Sequence, residues 1–96
     1  MLIKNIIHKG LRRFLLNNDA TGLPSSCVAK IRSIVGFLED LEVEDDLLKV
    51  PSWRAHRLGG ELRGHWSLHV TRNWRLTFRI EQNELEIADL DFQDYH

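Results

Sequence analysis

The stretch that decides the fold runs from residue 64 to 80: Gly64-His65-Trp66-Ser67-Leu68-His69-Val70-Thr71-Arg72-Asn73-Trp74-Arg75-Leu76-Thr77-Phe78-Arg79-Ile80. Trp66, Leu68 and Val70 alternate with His65, Ser67 and His69, and Trp74, Leu76, Phe78 and Ile80 alternate with Arg75, Thr77 and Arg79. Period two is the signature of a strand with one buried and one open face. Thr71-Arg72-Asn73 joins the two strands as a hairpin. Trp66 and Trp74 fall among the aliphatic residues and belong to the core, while the arginines and histidines are left for the other face.

Outward toward the C-terminus, Glu81-Gln82-Asn83 is a turn into a third strand spanning roughly residues 85–92, which completes an antiparallel meander. Outward toward the N-terminus, the period changes. Val28, Ile31, Ile34, Val35, Leu38 and Leu41 form one stripe at helical spacing, with Lys30, Arg32, Glu39 and Asp40 off it. Pro24-Ser25-Ser26 offers an N-cap, and the helix should end near Glu42. Leu11, Phe14 and Leu15 mark a shorter helix, preceded by Gly10 as a breaker and by an opening strand built on Leu2, Ile3, Ile6 and Ile7. Two helices that bury one face of a sheet make an α+β fold of two layers.

The 96 residues, 43% of them hydrophobic, support one domain, 1–96, and exclude a second. A single cysteine, Cys27, excludes an internal disulfide and any metal site built on thiolates, and points to a reducing compartment. The segment Met1 to Ile7 is too short for a signal sequence and no apolar run reaches membrane-spanning length, so a cytoplasmic protein with no membrane partner is expected.

Net charge is −1, but its distribution is segregated: +5 over residues 1–35, −5 over 36–50, +5 over 51–79 and −6 over 80–96. The third segment holds six arginines, no lysine and three of the five histidines. Guanidinium groups favour planar, bidentate recognition of phosphate. The acidic run Glu42, Glu44, Asp45, Asp46 is read as a solvated loop. His65 and His69 have the i, i+4 spacing of a zinc helix, but the segment reads as strand, and no metal or other cofactor is expected.

Five short pieces occur in one order: His8-Lys9-Gly10-Leu11, His56-Arg57-Leu58-Gly59-Gly60, Gly64-His65-Trp66-Ser67, Asn73-Trp74-Arg75-Leu76-Thr77-Phe78, and the terminal Asp94-Tyr95-His96. Together they resemble the HigB toxins of the RelE/ParE superfamily over nearly the whole chain. The resemblance implies a RelE-like fold, cleavage of messenger RNA on the ribosome with contacts to 16S ribosomal RNA, and a HigA-like helix-turn-helix antitoxin through which alone operator DNA would be bound. It also implies His56 and His96 as acid/base groups, Arg75 as phosphate stabiliser, Asp94 as orienter or charge partner, and Tyr95 as a stacking or hydrogen-bonding group. Arg54, Arg57, Arg63, Arg72 and Arg79 are the candidate RNA contacts. Relatives often carry His-Pro-Leu-Lys-Gly where this chain has His56 to Gly60; Gly59 stands in the lysine's place, and Arg57 or Arg63 is expected to supply that charge.

Those residue types suit cleavage without metal. A base takes the 2′-hydroxyl proton, a cation holds the charged phosphate, and an acid protonates the leaving 5′-oxygen. Histidine titrates near neutrality and arginine stays charged. His8, His65 and His69 are read as surface or core residues outside the site. The competing functions are a ParE-like gyrase inhibitor on the same fold and a non-catalytic module that keeps only an antitoxin-binding surface.

Overall fold

In a computed structural model, which describes residues 1–94, the chain forms a five-stranded sheet covered on one face by two helices. The elements in chain order are β1 (Leu2–Ile3), α1 (Lys9–Asn17), α2 (Ser25–Asp40), β2 (His56–Arg57), β3 (Trp66–Thr71), β4 (Trp74–Glu81) and β5 (Glu86–Asp94). Short 3₁₀ turns at Glu44–Lys49, Pro51–Trp53 and Gly60–Leu62 fill the passage between α2 and β3. The strand order is β1-β5-β4-β3-β2, with β1 parallel to β5 and every other pair antiparallel. The expected meander is therefore its centre, and the flanking strands come from segments before it.

The core forms where the two periodicities meet. Leu11 and Phe14 of α1 and Ile31, Ile34, Val35 and Leu38 of α2 pack on Trp66, Leu68, Leu76, Phe78, Ile87, Leu90 and Phe92 of the sheet. Trp74 stacks on Phe92, with ring centroids 4.6 Å apart, and packs at the rim of the core, in keeping with its place in the alternation.

Two bulges keep that face apolar. On β3, His69 pairs with Arg75 and Thr71 with Trp74, so Val70 is an extra residue. Val70 stays buried and Thr71 reaches Cys27 Sγ of α2 at 3.9 Å. On β5, Thr77 pairs with Asp91 and Arg79 with Ala88, which leaves one residue more on β5 than on β4. Ile87 and Leu90 are three positions apart, so an unbroken strand would bury one and expose the other; the bulge returns both to the core. Asp89 occupies it with φ 55°, a left-handed conformation that Asp tolerates better than most residues.

Three local expectations change. The opening strand is not continuous to Ile7: β1 pairs only Leu2 with Glu86 and Ile3 with Ile87, and a lone bridge joins Ile6 to Leu90. Between them lies the bulge, where the Asn5 side chain takes over from the ladder, accepting from Asp89 N and donating to Asp89 Oδ1, both at 2.9 Å. Ser25 and Ser26 do not cap α2; Pro24 is the N-cap residue, with no side-chain bond. Gly10 is not a breaker but lies inside α1, where the backbone of Gly22 crosses it.

A cap for α1 comes from His8, whose Nδ1 accepts from Leu11 N at 3.0 Å, and Asn18 ends the helix with φ 57°. A Cβ on Gly10 would lie 2.5 Å from the Gly22 carbonyl oxygen, so both backbones would have to separate. We expect Gly10→Ala to lower stability by about 1–3 kcal/mol, the usual range for overpacking, measured by urea unfolding. Gly36→Ala, where nothing lies within 4 Å of the added atom, should leave it unchanged or higher.

Asp89 also accepts from Arg79 Nε at 2.8 Å. Bonds from the Asn5 amide and the Arg79 guanidinium hold its carboxyl below the usual carboxylate value. A depressed folded pKa stabilises above the unfolded pKa, and the contribution disappears as pH falls through the folded value. Asp89→Asn should therefore lower Tm at neutral pH, and the difference from the parent should close on acidification in thermal melts run against pH.

Candidate active site

The sheet face away from the helices is built of cross-strand rows fixed by the register. One row runs His56 (β2), Ser67 (β3), Thr77 (β4), Asp91 (β5); the next runs His69, Arg75, Gln93. A third, toward the other end, joins Arg79 with Asp89 and, by strand alternation, His65. Neighbouring strands are about 4.8 Å apart, so His56 stands roughly 10 Å from the strand of Arg75.

His56 is exposed on an edge strand of only two residues. Its Nδ1 lies 2.8 Å from the Arg54 carbonyl oxygen, which can only accept, so Nδ1 carries the proton and Nε2 holds the lone pair of the neutral ring. Arg54 itself has φ 47°, and this left-handed turn brings its carbonyl back onto the ring two residues later. Leu58 N then bonds His65 O at 2.9 Å, closing the segment onto β3.

What fastens that short strand from the helix side is Glu44. Its Oε1 accepts from Trp66 Nε1 at 2.7 Å and from Arg57 Nη2, and its Oε2 accepts from Gln82 Nε2 at 2.7 Å. The Glu44 side chain is only 18% exposed. The acidic loop is thus not wholly solvated surface: one of its carboxylates is a junction between the 3₁₀ turn Glu44–Lys49, β2, β3 and the β4–β5 turn. Arg57 also lies over the Trp66 ring, 4.8 Å from its centroid, on the side opposite the open face.

Of the other predicted residues, Arg75 is half-buried in the middle of the open face, its Nη2 3.5 Å from Gln93 Oε1. Gln93 Nε2 in turn donates to Asp91 Oδ2 at 3.0 Å. Asp94 ends β5 opposite Trp74. Arg72 occupies the β3–β4 turn and Arg63 follows the 3₁₀ turn Gly60–Leu62, both exposed. Arg79 is ion-paired to Asp89 and to Glu81, at 3.0 Å, and these bonds raise its pKa. Tyr95 and His96 lie outside the described residues. The face therefore carries His56 and Arg75 two strands apart, with Arg54 near enough to His69 to act on its charge and Arg79 further along, whereas Arg57 is engaged elsewhere.

Sequence reasoning left out Asp91, Gln93 and His69. The signal for them was the alternation itself, continued through the bulge in β5. His69, directly opposite Arg75, has its pKa lowered, first by burial and then by Arg54 and Lys30, which favours the neutral ring. Ser67 Oγ and Thr77 Oγ1 are buried beneath this face without a hydrogen-bond partner among the described residues. Among those residues, the acidic group Glu81, Glu84, Glu86 is the one set of carboxylates close enough to share a cation, at the far β4–β5 turn, and Lys4 and Arg79 already pair with Glu81.

Two helices over one face of this five-stranded sheet is a RelE-like fold. It recurs in YafQ from E. coli strain BL21(DE3), at a TM-score of 0.62 and 11% identity over 95% of this chain and 92% of that one. It recurs also in a YoeB/ParE toxin from Agrobacterium tumefaciens, at a TM-score of 0.59 and 14% identity over the whole of both chains. Residues 4–96 match the family described as RelE-like toxin of type II toxin-antitoxin system HigB, and the chain belongs to that family. It is 32% identical to the Endoribonuclease HigB of Proteus vulgaris, over 99% of this chain and 100% of that protein.

Glu44→Ala would leave Trp66 Nε1 buried without its acceptor and release the β2 segment. We expect a loss of about 1–3 kcal/mol, with faster amide exchange at Leu58, whose N–H bonds across to β3. Unchanged exchange there would mean that Glu44 does not hold the segment.

Proposed function

We propose that this toxin is an endoribonuclease that cleaves translated messenger RNA on the ribosome, without a metal of its own, and that a HigA-like helix-turn-helix antitoxin silences it. The observation that carries the reading is the 2.8 Å contact of His56 Nδ1 with the Arg54 carbonyl oxygen, which assigns proton exchange with substrate to Nε2 on the same open face as Arg75.

In this mechanism the substrate lies across the open face with its scissile phosphate beside Arg75, contacting 16S ribosomal RNA around it. His56 and His96 share the proton transfers: one takes the 2′-hydroxyl proton and the other protonates the departing 5′-oxygen. The 2′-oxygen attacks phosphorus, the P–O5′ bond breaks, and a 2′,3′-cyclic phosphate and a 5′-hydroxyl result. Arg75 stabilises the charge that builds on the non-bridging oxygens, and its position beside Gln93 keeps the guanidinium in place before substrate arrives. Asp94 orients a histidine, and Tyr95 stacks on or hydrogen-bonds a base. Arg54, Arg63, Arg72 and Arg79 guide the RNA backbone, and Arg57 contributes through the β2 segment that it anchors.

Primer extension on a translated message, with and without the purified protein on ribosomes, tests this directly. New 3′ ends within the message are expected; intact transcripts with gyrase inhibited would favour the ParE-like function, and intact transcripts with active gyrase would favour a non-catalytic antitoxin-binding module. Cleavage should withstand a chelator once the ribosome's magnesium is allowed for, and a requirement for added zinc would refute the metal-free mechanism.

Arg75→Ala should reduce cleavage by about 10² to 10³, the cost of one preorganised charged contact, and Arg72→Ala by much less. Equal losses would place the phosphate elsewhere. His56→Ala and His96→Gln should each cost about 10² to 10⁴ in rate, with folding checked by circular dichroism. Near-normal cleavage by either variant would remove that histidine from the chemistry.

A further inference from the structure

Beyond the end of β2, the edge of β3 is not paired by another strand but faces the 3₁₀ turn Pro51–Trp53 and the side of α2. There a cleft of about 230 Å³ opens, lined by Lys30, Ser52, Trp53, His69 and Val70. We propose that this cleft is a nucleobase subsite, holding one base of the single-stranded RNA next to the scissile phosphate.

The lining has the chemistry a base requires. Trp53 is half-exposed, and an edge-on contact with Phe37, centroids 5.1 Å apart and planes at 78°, fixes the plane of its indole. A fixed aromatic surface is what a base stacks on, and stacking tolerates any base. His69 adds an imidazole to the wall of the cleft. Ser52 adds a hydroxyl, and Lys30, exposed on α2, adds a positive charge for the adjoining phosphate. Val70 closes the apolar floor. Of the three tryptophans, Trp66 is buried in the core and Trp74 packs against it, stacked on Phe92; Trp53 also packs against the core but lines this cleft.

Its location joins the cleft to the site. His69 is opposite Arg75 in the β3–β4 ladder. Trp53 immediately precedes Arg54, whose carbonyl holds His56. A nucleotide whose phosphate meets Arg75 and His56 thus has its neighbour's base within reach of Trp53. The cleft is larger than a single planar base, so it would accept purines and pyrimidines, with the Ser52 hydroxyl favouring those that match its hydrogen bond.

This subsite rests on the ribonuclease reading, so its test needs a readout that survives without cleavage. The first arm follows the indole N–H resonances of ¹⁵N-labelled protein during titration with a short single-stranded oligoribonucleotide. The Trp53 signal should shift and those of Trp66 and Trp74 should not. The second arm compares cleavage on programmed ribosomes of a message with a base, or an abasic residue, at each position flanking the cut.

At one position the parent should prefer the base by roughly 5- to 150-fold in kcat/KM, the range of one base–aromatic stack. Trp53→Leu should erase that preference through KM, Trp53→Phe should keep most of it, and Lys30→Gln should weaken both substrates alike. An unmoved Trp53 resonance, or a preference that persists in folded Trp53→Leu, overturns the subsite. If the parent cleaves no message at all while the Trp53 resonance still shifts, the ribonuclease reading fails and the base-binding cleft stands.

Discussion

A sheet covered on one face only must keep its apolar side chains on that face in every strand, because a slip of one residue would turn a whole strand over. The remainder of this structure follows from meeting that condition. The alternation of β3 and β4 meets it directly, and β5 meets it through the bulge at Asp89, which brings Ile87, Leu90 and Phe92 to the same side. The polar rows on the other face are the complement of that packing. His69, Arg75 and Gln93 align, and so do His56, Ser67, Thr77 and Asp91, because their apolar neighbours are buried by α1 and α2. The candidate catalytic face is thus positioned by hydrophobic burial on its reverse, whose apolar area supplies the main driving force of folding.

Packing does not explain β2. Two residues of antiparallel ladder are too few to fix a side chain, and His56 and Arg57 are both exposed. Polar bonds on both sides of the strand do that work. Glu44 ties Arg57 to Trp66 from the helix side, and on the open side Arg54 turns its carbonyl to the His56 ring. The carboxylate receives three donors, which offset the cost of its partial burial. An acidic residue in one charged segment and an arginine in another act as one structural unit, so the segregation of charge along the chain partly cancels in space.

The regular parts of the molecule were legible in sequence: the α2 stripe, the β3–β4 alternation, the core placement of Trp66 and Trp74, and the open face carrying Arg75. What was not legible has physical reasons. The role of Gly10 depends on Gly22 crossing it, a contact between backbones that no side-chain pattern records. The cap on α1 comes from a histidine, which ordinary N-cap preferences do not single out. Glu44 resembled its neighbours Asp45 and Asp46 because charge runs carry no mark of which member turns inward. The bulge in β5 left a trace, since Ile87 and Leu90 are three apart, and following it would have placed Asp91 and Gln93 on the open face. Local periodicity predicts the orientation of a side chain; long-range partners decide its use.

Both borders of the sheet are guarded by strands of two residues, β1 and β2, while the three strands between them run from six to nine. Long, flat edges invite other chains to add strands and are a common route to aggregation. Here the border strands themselves offer only a pair of residues each, and beyond them the bulge at Asp89 interrupts the edge of β5 while the 3₁₀ turn Pro51–Trp53 packs against the edge of β3. Copies of this chain therefore find little regular strand at either border to polymerise upon. Recognition at those borders falls to side chains, which can be selective, and not to the main chain, which all proteins share.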